Sequence, residues 1–215
     1  MAAEQDVTAV RKVMTAAPVI PVLTIERVED AVPLAQALVD GGLPSIEITL
    51  RTSAALEAIR RVAAEVEGAI PGAGTVLTPK QVEECEAAGC KFLVSPGASS
   101  ALLDAAASHS VSLLPGAASA SEAMALGERG YECLKFFPAG PAGGPSYLKG
   151  LGGPLPGFTF CPTGGVSQSN ALDYLALPNV ACVGGSWVAP SKLVDAGAWS
   201  EITALAKEAA SISAG

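Results

Sequence analysis

The sequence holds one histidine, His109, in 215 residues. A histidine-based triad would have to be built on that one imidazole, and a multi-histidine metal site has too few ligands. His109 lies in Ala107-Ser108-His109-Ser110-Val111, which reads as a helix-to-strand turn, so neither arrangement is expected. The five cysteines, Cys85, Cys90, Cys133, Cys161 and Cys182, are odd in number, scattered, and form no CxxC pair. That usage fits reduced thiols in a cytoplasmic protein. Lys and Arg never cluster and the net charge is −8, which argues against nucleic acid or an anionic membrane as partner. No apolar run approaches the ~20 residues needed to span a bilayer, and Met1 to Asp6 carry no signal-peptide pattern. Neither a P-loop nor a strand–GxGxxG–helix fingerprint is present, so no nucleotide cofactor is implied.

Apolar material is plentiful. Half of the residues are hydrophobic and 16% are charged, enough for a large core. No linker, low-complexity tract or composition shift divides the chain, so 1–215 reads as a single domain. Apolar or alternating runs at 19–24, 45–51, 70–76, 91–96, 112–117, 133–137, 158–165 and 180–186 read as strands. Helical spacing occupies 29–40, 54–66, 79–88, 99–108, 119–127, 146–151, 168–175 and 198–211. A further helix over 4–16 is placed to cap one end. Strict strand–helix alternation over eight units predicts an α/β fold, a closed (β/α)8 TIM barrel, with an open doubly wound sheet as the other solution.

Residues 133–138, Cys-Leu-Lys-Phe-Phe-Pro, set a lysine inside an apolar strand. Alternation puts Cys133, Lys135 and Phe137 on one face. An unpaired ammonium is costly to bury, and a neutral amine is a nucleophile. The plainer alternative is an amine that snorkels into water. Strand two carries Ser45, Glu47, Thr49 and Arg51 on one face and Ile46, Ile48 and Leu50 on the other. Helices would cover the apolar face, leaving Glu47 inside as a partner for Lys135 and Arg51 at the rim. Thr75 follows Gly72-Ala73-Gly74; those glycines admit either a ligand or a tight corner. Pro96 either shapes a pocket wall or simply ends its strand. Thr163-Gly164-Gly165 and Gly184-Gly185-Ser186 end strands seven and eight, where barrel loops commonly bind phosphate through backbone N–H groups. Cys133 shares the face of Lys135, but a buried cysteine is usually inert.

These stretches resemble the 2-keto-3-deoxy-6-phosphogluconate (KDPG) and 4-hydroxy-2-oxoglutarate (KHG) aldolase family. The likeness is carried by Ile46-Glu47-Ile48-Thr49-Leu50-Arg51, Gly72-Ala73-Gly74-Thr75-Val76-Leu77, Ser95-Pro96-Gly97, Leu134-Lys135-Phe136-Phe137-Pro138-Ala139, Phe160-Cys161-Pro162-Thr163-Gly164-Gly165-Val166 and Gly184-Gly185-Ser186-Trp187. The resemblance implies a metal-free class I aldolase without cofactor, usually a homotrimer, acting on a phosphorylated 2-keto acid. It implies Lys135 as the Schiff-base amine and Glu47 as the proton carrier. Arg51 and Thr75 would hold the pyruvyl carboxylate, Pro96 and Phe137 would line the site, and Thr163, Gly164, Gly165, Gly184 and Ser186 would form its phosphate end. Two other readings keep the barrel: a phosphate-sugar isomerase or epimerase with Glu47 as enolising base, and a non-catalytic phosphate-sugar-binding module.

Overall fold

The computed structural model describes residues 7–213, an α/β fold of parallel strands curled so that one face is shared by all of them. Strands β1 (Val19–Leu23), β2 (Ser45–Thr49), β3 (Ile70–Gly74), β4 (Phe92–Val94) and β5 (Ser112–Leu114) come first. They are followed by β6 (Gly116–Ala117), β7 (Cys133–Phe136), β8 (Thr159–Pro162) and β9 (Val183–Gly185). The strand order is β5-β4-β3-β2-β1-β9 in one sheet and β6-β7-β8 in the other.

The fifth run, expected to be continuous over 112–117, is two segments. Pro115 has no N–H to give to a ladder, and the strand is interrupted there. The run still bonds on both flanks. Ser95 N donates to Leu114 O (3.2 Å), and Lys135 N donates to Pro115 O (2.9 Å). Between β8 and β9 there is no regular ladder, only parallel bridges at Phe160–Val180 and Thr163–Gly184.

The helices between strands follow the sequence pattern closely: α2 (Ala31–Asp40), α3 (Ala55–Glu65), α4 (Pro79–Ala87), α5 (Ser100–Ala107), α6 (Ala120–Gly127), α7 (Gly144–Gly152) and α8 (Ala171–Leu175). Their starts are written locally. Thr78 and Gln81 form a reciprocal cap with Pro79 at the first turn of α4, and Ser99 and Ser119 cap α5 and α6. A 3-10 turn at Val28–Asp30 precedes α2, and α9 (Ser191–Asp195) is a short helix the sequence pattern does not predict. The last helix is α10 (Trp199–Ala210). The helix expected over 4–16 is α1 (Val7–Thr15); positions 4–6 lie outside the described residues.

Two apolar layers result. Ile46, Ile48, Ala73, Leu93, Leu113, Leu134 and Phe136 face outward and pack under the helices. On the opposite, inward face, Ile20, Phe92, Val94, Leu114, Cys133, Cys161 and Cys182 meet Val10, Val13 and Met14 of α1. Ser45 Oγ donates to Val13 O at 2.9 Å and pins α1 to the start of β2. The inward face is therefore plugged with apolar atoms at the N-terminal ends of the strands. Glu47, Thr49 and Lys135 follow further along the strands, toward their C-terminal ends.

Candidate active site

Register sets the site. Val22 pairs with Glu47 and Glu47 with Gly72; Gly116 pairs with Lys135 and Lys135 with Cys161. Glu47 and Lys135 both point inward above the apolar plug, from strands far apart in sequence. Lys135 Nζ lies 3.1 Å from Glu47 Oε1 and 3.4 Å from Oε2. Their side chains are only 6% and 4% exposed, so each charge depends on the other. The ring of Phe137 covers the amine from above, 5.3 Å from centroid to Nζ. This buried pair can pass one proton from nitrogen to oxygen, giving a nucleophilic amine next to a carboxylic acid.

Small residues make room for the pair. A Cβ on Gly74 would overlap the Glu47 carboxylate, and one on Gly72 would overlap the Phe92 ring. The glycines of strand three thus serve the acid and the packing beneath it. Thr75 follows at φ 59°, the one described non-glycine residue in the left-handed region. A β-branched residue there costs on the order of 1–3 kcal/mol. Its hydroxyl accepts from Arg51 Nε at 3.2 Å, which leaves the two Nη groups of this exposed arginine to fork onto a carboxylate.

Phe137, whose ring lies over the amine, also lines a cavity of about 430 Å³. Arg51, Phe137, Thr163, Gly164, Gly165, Gly184 and Ser186 line it. Thr163 is buried, with its hydroxyl 3.4 Å from Cys161 O, and a Cβ on Gly184 would collide with it. Gly164 and Gly165 sit at φ 89° and 79°, and their carbonyls are held by Gly140 N and Asn170 Nδ2. The same cavity receives Thr24, Glu26, Asp30 and Asp195, none of which the sequence reading singled out. Thr24 continues the inward series Ile20, Val22, so alternation alone would have found it.

Not every expected residue meets at that cavity. Lys135 and Glu47 are buried and not among its lining residues, and Thr75 reaches it through Arg51. Pro96 lines a second cavity of about 250 Å³, which shares only Phe137 with the first. The cysteines are core atoms. Burial pushes the Cys133 thiol up, and hydrogen bonding to Cys161 together with burial does the same to Cys182. Among the described residues, no three His, Cys, Asp or Glu side chains are grouped to hold a metal ion.

A family described as KDPG and KHG aldolase matches residues 10–205. The chain belongs to the KDPG and KHG aldolase family. A 2-dehydro-3-deoxy-phosphogluconate aldolase of Pseudoalteromonas atlantica is 53% identical over 203 residues, 94% of each chain. The KHG/KDPG aldolase of Escherichia coli is 46% identical over 202 residues, 94% of this chain and 95% of its own. Among solved members of the family, the KDPG aldolase of Legionella pneumophila superposes with a TM-score of 0.91 at 46% identity, covering 94% of this chain and 98% of that one. That enzyme was captured with pyruvate as a covalent carbinolamine intermediate. The Zymomonas mobilis KDPG aldolase, solved with 3-phosphoglycerate, gives 0.90 at 47% identity over 94% of this chain and 96% of its own.

Proposed function

We propose that this chain is a class I aldolase that cleaves 2-keto-3-deoxy-6-phosphogluconate to pyruvate and glyceraldehyde 3-phosphate, and 4-hydroxy-2-oxoglutarate to pyruvate and glyoxylate. The observation that carries the reading is the buried 3.1 Å contact between Lys135 Nζ and Glu47. Transfer of a proton along it frees the amine to attack the C2 ketone. The protonated Glu47 then gives its proton to the carbinolamine hydroxyl, water leaves, and an iminium remains. Glu47, ionised again, takes the proton of the C4 hydroxyl. The C3–C4 electron pair moves into the iminium, the aldehyde departs, and a pyruvate enamine stays on Lys135. Protonation at C3 and hydrolysis return pyruvate and the free amine.

Arg51, set by Thr75, holds the substrate carboxylate near the amine; Phe137 lines both cavities, and Pro96 shapes the smaller one beside it. Thr163, Gly164, Gly165, Gly184 and Ser186 take the phosphate end, where backbone N–H groups suit an anion. No step requires a metal or cofactor. We assign the architecture as a closed (β/α)8 barrel forming one domain. The bonds on both flanks of 112–117 and the bridges from β8 to β9 support it. A homotrimer is proposed from the family likeness, with Leu77, Met124 and Leu172 among the large apolar side chains open to solvent. A cytoplasmic setting fits five free cysteines, and no helix among the described residues is long and apolar enough to cross a membrane.

Borohydride added with pyruvate tests the chemistry. The expected product carries one reduced three-carbon adduct, located on Lys135 by peptide mass spectrometry. An unmodified Lys135 in protein that still releases pyruvate would remove it from the mechanism.

A further inference from the structure

Thr24 lies just beyond the last residue of β1, on the wall of the larger cavity. Its hydroxyl is 3.1 Å from the hydroxyl of Thr49, which is fully buried one inward position above Glu47. Thr49 Oγ1 also lies 2.9 Å from Leu23 O. A carbonyl only accepts, so the one Thr49 proton points to Leu23. The contact between the two threonines is then a donation from Thr24 to Thr49. That spends the Thr24 proton as well, and what Thr24 offers the cavity is a lone pair.

The surrounding groups point the same way. The other polar side chains that the cavity receives from the end of β1 and the turn after it are the carboxylates Glu26 and Asp30. Asp30 is committed to Arg27 through bonds of 2.8 and 2.9 Å. Glu26 therefore sets the charge of this stretch of wall, which disfavours an anionic oxygen and suits a hydroxyl that donates. The anion-binding groups, Arg51 after β2 and the Gly184-Gly185-Ser186 turn of β9, belong to the strands on either side of β1.

Resting on the aldolase reading, we propose that Thr24 is a specificity-determining residue that accepts a hydrogen bond from the C5 hydroxyl of the six-carbon substrate. Val22 pairs with Glu47 and Thr24 stands one inward step higher. With Glu47 at the C4 hydroxyl, the next carbon outward comes level with Thr24. 4-Hydroxy-2-oxoglutarate has a carboxylate at C5, which cannot donate there and is disfavoured beside Glu26. Thr24 thus tilts the site toward phosphorylated, hydroxylated 2-keto acids over the shorter dicarboxylic one.

The test compares Thr24→Val and Thr24→Ser with the parent enzyme on both substrates. Valine keeps the shape and loses the acceptor. The expected result is a fall of about 3- to 10-fold in kcat/KM for the six-carbon substrate, the size of one neutral hydrogen bond. On 4-hydroxy-2-oxoglutarate kcat/KM is unchanged or raised, and serine restores the parent ratio. Labelling with pyruvate and borohydride should be equal in all three proteins, since pyruvate lacks the aldehyde half; unequal labelling would place the effect at the amine and overturn the assignment. An unchanged substrate ratio in Thr24→Val, or equal losses on both substrates, would also overturn it while leaving the aldolase reading intact. A parent enzyme that releases no pyruvate and takes no label would overturn both.

Discussion

A methyl group added at position 74 would occupy the space that the Glu47 carboxylate fills. The obstructing atoms are the far end of a flexible side chain, so the fold can accept the change by turning Glu47 aside. The chemistry cannot, because Lys135 then loses the partner that receives its proton. Gly74→Ala is expected to melt below the parent, because it parts a buried ion pair, and its folded fraction to turn over about 100-fold more slowly, the penalty for a group displaced by roughly 1 Å. Circular dichroism melting and steady-state pyruvate release measure the two halves separately. A variant with parent-like kcat would mean that the Glu47–Lys135 contact does not govern the rate. Thr75 makes the complementary case. Its strained backbone delivers the hydroxyl that fixes the Arg51 cation at the rim.

Helix α1 and the C-terminal ends of the strands divide the labour of the inward face. Met14 is fully buried among residues from β1, β4, β5, β7 and β8, below the polar layer and out of reach of the cavity. Met14→Ala should cost about 2–5 kcal/mol of stability. Urea unfolding would show this as a lowered midpoint, while kcat/KM of the folded fraction stays near that of the parent. A large catalytic loss at full foldedness would mean that the plug also tunes the amine above it. The strand ladder was legible because period-two patterning fixes which face a side chain takes, and that alone sends Glu47 and Lys135 inward. Helix α9 was not legible: none of its five residues is buried, so it carries no apolar period to read. Nor does the pattern show the break at Pro115, since a strand of apolar residues looks continuous whether or not one N–H is missing. The Thr24–Thr49 chain and the fit of Gly74 to Glu47 depend on neighbours in space. Residue type along the chain cannot supply those.

With a net charge of −8, the chain has many carboxylates to protonate as pH falls, and most sit in water where protonation matters little to folding. Glu86 is an exception. It closes the end of α4 onto the turn before β5, with Oε2 2.6 Å from His109 Nδ1 and Oε1 2.8 Å from Ser110 N. The hydrogen bond with His109, then those from the Ser110 hydroxyl and amide, lower its carboxyl from 4.5 to about 2. In the unfolded chain the ordinary value returns. Between pH 4.5 and 2 the unfolded state therefore binds the proton that the folded state refuses, and stability drains away across that window. Above that window Glu86 is ionised in both states and its own proton uptake no longer changes the stability. Glu86 is about a third exposed, at 32%, so solvent screening leaves on the order of 1 kcal/mol of net stabilisation. Glu86→Gln should accordingly unfold about 1 kcal/mol more easily at pH 6, with the deficit shrinking as the pH approaches 2. Paired urea titrations at pH 6 and pH 3 read the gap directly. A deficit that stays the same at both pH values would show that the carboxylate contributes through shape and not through its charge.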